Sequence, residues 1–233
     1  DDAAVVAMAQ RSRARRQSFG RSAVIAEGTT VEGEWIVSHS RGTKERLVPL
    51  KAIRLIGPHL VDDVMAAATV GRLAGVSPAE MTAAVEGFAG LEHAMELVAE
   101  IGGVRFVNDS KATNVDAARR SIESFEQGVV AIVGGRFKGG DLGLLRAPLS
   151  ARARAVIAIG EAQPLVRDAL SDVVEVRAAS SLEEAVATGY ELAKPGGVVL
   201  LAPACASFDM FRDFAERGRR FKEEVERLRR RSL

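Results

Sequence analysis

Five polar side chains crowd into six positions directly after an apolar run near the middle of the chain. Within FVNDSKATN, residues 106–114, they are Asp109, Ser110, Lys111, Thr113 and Asn114. Thr113 or Asn114 would cap a helix that starts here, and the free amides and positive dipole of a helix start bind carboxylate or phosphate. A plain capped turn is the alternative. Because capping alone needs one such residue, we interpret this segment as an anion-binding loop.

A second segment with the same position after an apolar run is IVGGRFKGGD, residues 132–141. Its glycines let a ligand approach the backbone closely, and Lys138 offers a compact positive charge. It matches neither the Walker A pattern nor the dinucleotide-binding glycine pattern. A flexible surface loop therefore remains an equally good interpretation.

A third segment is VVLLAPACASFDMFRDFAERG, residues 198–218, where an apolar run ends at a proline. We expect Ser207 at the start of the last helix, where its hydroxyl and the neighbouring amides would hold a carboxylate. Phe208, Phe211 and Phe214 would wall that pocket, or pack in the core. Cys205 is interpreted as a small buried hydrophobic residue rather than a nucleophile.

From residue 91 onward, predicted strands alternate with predicted helices. The strands are 97–101, 104–108, 129–133, 154–159, 173–177 and 197–201. The helices are 114–125, 141–150, 161–170, 181–193 and 209–231. Runs such as VVAIV are continuously apolar, which is typical of parallel strands covered on both faces. The fold class is therefore α/β, with an open, doubly wound, Rossmann-like sheet that collects ligands beyond the carboxyl ends of its strands.

The first part of the chain has a different sequence pattern. Residues 3–16 have helical spacing, and residues 18–50 predict an antiparallel β-ribbon. Two helices follow, over 61–75 and 78–88, the second with Ser77 as its N-cap and Pro78 at its first position. The glycines between 87 and 90 mark a boundary, which gives domains 1–90 and 91–233.

Composition excludes several classes of protein. A net charge of +1 over 233 residues gives no support for binding of nucleic acid, and no run is long enough for a membrane span. The single cysteine excludes an internal disulfide, and no signal peptide is visible, so we expect a cytoplasmic protein. The three histidines lack metal-ligand spacing, although His93, at the domain boundary, is a candidate neighbour of a site.

Three long segments resemble one family. GLEHAMELVAEIGGVRFVNDSKATNVDAA, VAIVGGRFKGGD and LLAPACASFDMFRDFAERGRRFKEEV are similar to the C-terminal domain of the Mur ligases, and within it to the branch that adds D-glutamate. The similarity covers residues 91–233. Residues 1–90 resemble, more loosely, the end of the family's central ATPase domain.

The resemblance implies an ATP-dependent amide ligase of cytoplasmic peptidoglycan synthesis. ATP would phosphorylate the L-alanine carboxylate of UDP-N-acetylmuramoyl-L-alanine, and the amine of D-glutamate would attack the acyl phosphate. Mg²⁺ would assist with ligands upstream of this chain, and the protein would be a monomer.

The resemblance also assigns residues. Those expected to bind D-glutamate are Thr113, Lys138, Ser207, Phe208 and Phe214. Lys111 and Asp109 would lie at the reacting groups. Asp63, Asp109 and Asn114 would lie at the nucleotide.

The chain also departs from the family. It has no GxxGK[ST] loop, so we expect a fragment of a longer protein and predict no ligase turnover from residues 1–233 alone. Ala94 and Leu60 stand where the family has an arginine and an asparagine near ATP. The alternatives are a non-catalytic binding module derived from the ligase and a related ligase for another amino acid. A nicotinamide dehydrogenase would need a glycine fingerprint that is absent.

Overall fold

The computed structural model describes residues 3–21 and 25–231. The chain divides into two compact units, Asp1–Ala89 and Gly90–Leu233. The assignment of 1–90 to an ATP-binding domain and of 91–233 to an amino-acid-binding domain stays a prediction. No helix in the described part of the chain has both the length and the apolar character needed to cross a bilayer.

In its described residues, the first unit contains a four-stranded sheet and three α-helices. In chain order these are α1 (Ala3–Ala9), β1 (Ser18–Phe19), β2 (Gly28–Glu32), β3 (Trp35–Ser40), β4 (Thr43–Pro49), α2 (His59–Leu73) and α3 (Pro78–Gly87). Strands β2, β3 and β4 form the expected antiparallel ribbon, and the short β1 pairs parallel with β2. Met65 of α2 and Met81 of α3 are buried against Ile36, Leu47 and Val48 of the ribbon.

The helix starts of this unit follow local rules. The Ser77 hydroxyl accepts a hydrogen bond from Glu80 N, and the Glu80 carboxylate accepts one from Ser77 N, so α3 begins with a capping box before Pro78. By contrast, α1 ends at Ala9 instead of reaching residue 16. Its apolar side chains are exposed, and the basic run 11–16 places like charges on successive turns, so neither packing nor charge extends the helix.

The second unit is built on a six-stranded sheet. Its strands are β5 (Glu96–Ile101), β6 (Val104–Asn108), β7 (Val129–Gly134), β8 (Ala153–Ile159), β9 (Val176–Ala178) and β10 (Val198–Leu201). Its helices are α4 (Val115–Glu123), α5 (Arg146–Arg152), α6 (Gln163–Leu170), α7 (Leu182–Ala193) and α8 (Phe214–Arg231). The strand order is β5-β6-β10-β7-β8-β9, and all pairs are parallel except β5 with β6. The predicted α/β fold with a Rossmann-like sheet is confirmed.

The central strands are apolar along their whole length because the residues on both of their faces are buried in the core. Every residue of β7 and β10 is buried. Helices α7 and α8 cover one face, where Phe221 and Val225 of α8 pack with Phe106 and Val199 of the sheet. Helices α4, α5 and α6 come together around the turn Leu142–Leu145.

One predicted strand is displaced. Residues 173–177 were expected to be extended, but the strand β9 covers only Val176–Ala178. The amides of Val173 and Val174 donate to the carbonyl oxygen of Leu170, so these residues extend the C-terminal turn of α6 instead. As an edge strand with exposed side chains, β9 has a weak apolar pattern.

Candidate functional site

The three segments singled out in the sequence follow neighbouring strands. Strand β10 lies between β6 and β7, and the three run parallel, so their carboxyl ends share one edge of the sheet. We name the segments after them loop A (residues 109–114, after β6), loop B (135–141, after β7) and loop C (202–213, after β10). The strand order alone therefore brings together residues that are far apart in the sequence.

Hydrogen bonds between backbones join the three loops. Ala204 N in loop C donates to Ala112 O in loop A at 2.9 Å. Arg136 of loop B and Ala206 of loop C exchange two bonds of 2.8 and 3.0 Å. Because the bonds run from loop A through loop C to loop B, the loops form one continuous surface.

A fourth segment, residues 91–95, lies at the same edge because β5 is antiparallel to β6 and begins there. Lys111 N donates to His93 O at 3.0 Å, and Met95 N donates to Asp109 Oδ1 at 3.2 Å. His93 and Met95 both have positive φ, 65° and 49°, which is uncommon for residues with a side chain. Sequence reasoning noted His93 but did not attach this segment to loop A, although the Gly102–Gly103 dipeptide between β5 and β6 is a local signal for a hairpin.

The His93 ring is buried rather than presented to a ligand. It is 3% exposed, its Nδ1 lies 2.9 Å from Asn108 Nδ2, and its edge packs against Phe214 with ring centroids 6.4 Å apart. Burial lowers the pKa of His93, against the opposing charges of Glu92 and Glu96. The His93 imidazole is therefore a packing element behind the site.

Asp109, expected at the reacting groups and the nucleotide, is directed inward. It is 8% exposed, and its carboxylate accepts hydrogen bonds from Met95 N and from the hydroxyl of Ser121 in α4. This carboxylate joins segment 91–95 to α4, so in this structure it orders the loop. Lys111, two residues later, is exposed.

Asn114 is the residue that caps α4. Its Oδ1 accepts a hydrogen bond from Ala117 N at 2.9 Å, and its backbone is extended, as at an N-cap. This leaves Thr113, half-buried at the helix start, as the polar side chain not used for capping. The nucleotide-binding role expected of Asn114 stays a prediction.

Lys138 lies exposed in loop B, between backbone turns at Gly135 and at Gly139 and Gly140, all with positive φ. Burial raises the pKa of the Cys205 thiol in loop C, and the positive charge of Lys138 acts in the opposite direction. The cation expected in the site is therefore carried by loop B, whose Arg136 bonds to Ala206 of loop C.

Ser207 is not at the start of a helix, which corrects the sequence interpretation. Helix α8 begins seven residues later, at Phe214. The Ser207 carbonyl accepts bonds from Met210 N and Phe211 N, which closes a separate turn, and Asp213 Oδ1 accepts one from Glu216 N in the first turn of α8. Ser207 itself is 2% exposed.

The three phenylalanines do not form one wall. Phe208 is 63% exposed and Phe214 is 38% exposed, whereas Phe211 packs against the core. Phe208 and Phe214 therefore remain accessible to solvent, and the Phe214 ring also packs against His93.

Arg217 was missed in the sequence, where its surroundings ERGRRFKEEVERLRRR predict a solvated helix face. Several arginines of α8 do pair with glutamates one turn away. Arg217, however, is 1% exposed and donates to Ser110 of loop A and Cys205 of loop C. No local signal distinguishes it from its charged neighbours.

The remaining predicted residue, Asp63, belongs to the first unit. It is exposed on α2, next to Asp62, which pairs with Arg21 at 2.6 Å. Within residues 3–21 and 25–231, no group of three histidine, cysteine, aspartate or glutamate side chains is arranged to hold a metal ion.

Cys205 is expected to resist alkylation in the folded chain. Burial raises the pKa of its thiol to about 11, so at pH 8 about one thiol in a thousand is ionised. Iodoacetamide at pH 8, followed by intact mass, should leave the native protein unmodified. The guanidinium-unfolded protein should react completely in the same time, and equal rates in both states would contradict the buried position.

The comparisons with known proteins agree on one family. Residues 93–205 match the model described as Mur ligase, glutamate ligase domain. The UDP-N-acetylmuramoylalanine–D-glutamate ligase of Acidobacterium capsulatum is 44% identical over 227 residues, which is 97% of this chain and 49% of the relative. The enzyme of the same name from Syntrophus aciditrophicus is 41% identical over 207 residues, 89% of this chain and 46% of the relative. The chain thus spans about half the length of the curated relatives it matches.

Solved structures share the fold. UDP-N-acetylmuramate–alanine ligase from Thermotoga maritima superposes with a TM-score of 0.61 at 16% identity, over 90% of this chain and 48% of that one. Folylpolyglutamate synthase from Mycobacterium tuberculosis, complexed with ADP, gives a TM-score of 0.59 at 16% identity, over 84% of this chain and 46% of that one.

Proposed function

Because this chain carries the glutamate ligase domain of the Mur ligases and so belongs to that family, we propose that it is the amino-acid-binding part of an ATP-dependent ligase. The proposed reaction joins D-glutamate to UDP-N-acetylmuramoyl-L-alanine during peptidoglycan synthesis. The relatives named for this reaction support it, and so does the convergence of loops A, B and C at one sheet edge.

The loops offer what a dicarboxylate amino acid requires. Lys138 supplies a compact cation, and Thr113 and Ser207 supply hydroxyl groups that can donate to carboxylate oxygens. Phe208, which follows Ser207 in the chain, and Phe214 are both exposed. We propose that these five side chains hold D-glutamate.

Holding D-glutamate in this way leaves its amine to be the nucleophile. ATP would supply the activated form of the acceptor, an acyl phosphate on the L-alanine carboxylate. Lys111, exposed at the end of β6, is the proposed cation at the reacting groups. Asp109 would act from inside the fold by fixing loop A against segment 91–95.

Residues 3–21 and 25–231 do not form a site for Mg²⁺. The described residues offer no metal-ligand cluster, and the chain lacks a GxxGK[ST] loop for ATP phosphates. Asp63 and Asn114, both exposed, are the proposed contacts to the nucleotide from this chain, and the protein is proposed to act as a cytoplasmic monomer.

Binding of D-glutamate is expected to weaken about tenfold or more in Lys138→Met and in Ser207→Ala, because each removes a donor to a charged ligand. Isothermal titration of residues 1–233 with D-glutamate and with L-glutamate measures this directly. Lys194→Met is the matched control, since Lys194 precedes β10 and lies at the opposite edge of the sheet. Equal affinities in wild type and both site variants would contradict the assignment.

A measurement of turnover distinguishes a ligase from a non-catalytic binding module. Residues 1–233 alone should release no phosphate from ATP. The longer protein that the proposal requires should release phosphate only when both D-glutamate and the muramoyl-alanine acceptor are present. Half-buried Ala94, where the family has an arginine, favours the alternative of a non-catalytic module, which would bind D-glutamate without turnover in the longer protein.

A further inference from the structure

Arg217 is a fully buried charged side chain directly behind the ligand loops. It is 1% exposed, and it is among the largest side chains that the described structure excludes from solvent. Its Nε donates to Ser110 Oγ at 2.9 Å, its Nη2 donates to Ser110 O at 2.9 Å, and its Nη1 donates to Cys205 O at 3.2 Å. One guanidinium group thus bonds loops A and C at once.

The same group also approaches loop B. A Cβ atom added at Gly135 would lie 3.3 Å from Arg217 Nη1 and 2.3 Å from Ala206 O. Loop B can pass this close to the guanidinium group only because residue 135 has no side chain. The Ser110 hydroxyl, in turn, donates to Phe214 O at 2.7 Å, which joins the start of α8 to the same junction.

Burying a guanidinium is costly unless its donors and its charge are compensated. Its three hydrogen bonds end on uncharged oxygens, and Asp209 is a carboxylate that acts on it through space. Burial lowers the pKa of Arg217 to about 10, so the group still carries its full charge at neutral pH. The fold therefore maintains a cation, incompletely neutralised, beneath the surface where an anionic ligand is proposed to bind.

We propose that Arg217 is a positioning residue that fixes loops A and C, and through loop C the adjoining loop B, in their ligand-binding arrangement and adds a buried positive charge that favours a dicarboxylate ligand. The inference about the ligand rests on the proposed function, whereas the inference about the loops does not. A charge in the low-dielectric interior acts on a nearby carboxylate more strongly than a solvated surface lysine does.

The test uses residues 1–233 and three variants. Arg217→Met removes the charge and the donors but keeps an unbranched stem, and Arg217→Lys keeps the charge but loses the fork of donors. Arg220→Met is the matched control, since Arg220 is exposed on the same helix and pairs with Glu223. Each variant is measured by D-glutamate titration and by hydrogen–deuterium exchange of the ligand-free protein.

In Arg217→Met we expect D-glutamate affinity to fall about tenfold or more, and amide exchange to increase in residues 109–114 and 203–207. Arg217→Lys should lie between this variant and wild type for affinity, because it restores charge without the bonds. Arg220→Met should match wild type in both measurements. A general loss of packing would instead raise exchange throughout the second unit, including β7 and β8.

Wild-type exchange in residues 109–114 and 203–207 of Arg217→Met would overturn the positioning role, whether or not D-glutamate binds. Should that variant fail to fold, wild-type exchange in Arg217→Lys would overturn it equally. If wild type does not bind D-glutamate but Arg217→Met shows the exchange increase, the proposed function fails and the positioning role stands. Unchanged affinity in Arg217→Met would overturn the role of the buried charge.

Discussion

Replacing Phe221 with alanine is expected to lower the free energy of unfolding of the second unit by about 3 to 5 kcal/mol. The Phe221 ring has no exposed surface and belongs to the cluster that α7 and α8 form over the sheet. Truncation removes its apolar contacts and leaves a cavity that rigid strands on one side cannot fill. Urea denaturation followed by far-ultraviolet circular dichroism measures the loss.

Phe208→Ala is the matched control for this prediction. The Phe208 ring is 63% exposed, so its removal should change the free energy of unfolding by about 0.5 kcal/mol or less. If the two substitutions destabilised the protein equally, Phe221 would not be the core residue that its burial indicates.

Gly218→Ala is expected to destabilise the second unit by about 1 to 3 kcal/mol, even though alanine is the better helix former. Gly218 lies inside α8, and an added Cβ would fall 2.3 Å from His93 Nδ1 and 2.7 Å from His93 Cγ. The buried ring must move, which disturbs its contact with Asn108 and the segment that bonds to loop A. Urea denaturation, with Arg219→Ala as the exposed neighbouring control, measures the effect.

A double variant isolates the cause. His93→Ala removes the ring that the new methyl group meets, so Gly218→Ala should cost much less in that background than in wild type. An equal cost in both backgrounds would show that the penalty arises elsewhere in α8.

Much of the fold follows from local patterns. The Ser77–Pro78 start of α3 and the continuously apolar β7 and β10 need no information from distant residues. Because parallel strands align their carboxyl ends, the clustering of the three loops could also be predicted before the strand order was known. The matches with D-glutamate ligases confirm the family resemblance drawn from the same loops.

The parts that could not be predicted depend on long-range packing. Phe208, Phe211 and Phe214 are spaced like one face of a helix, yet Phe208 and Phe211 lie in the turn closed by Ser207 and only Phe214 belongs to α8. Arg217 resembles its solvated neighbours in the sequence. It can be buried because backbone carbonyl oxygens of loops A and C accept hydrogen bonds from its guanidinium group.

The position of β10 has a consequence for the order in which the second unit can be completed during synthesis. This strand pairs with both β6 and β7, so the centre of the sheet stays open until residues 198–201 have left the ribosome. Arg217, which bonds loops A and C, is translated later still. Nascent chains that end before β10 therefore hold β6 and β7 without their shared neighbour, and they expose strand edges that can pair with other chains.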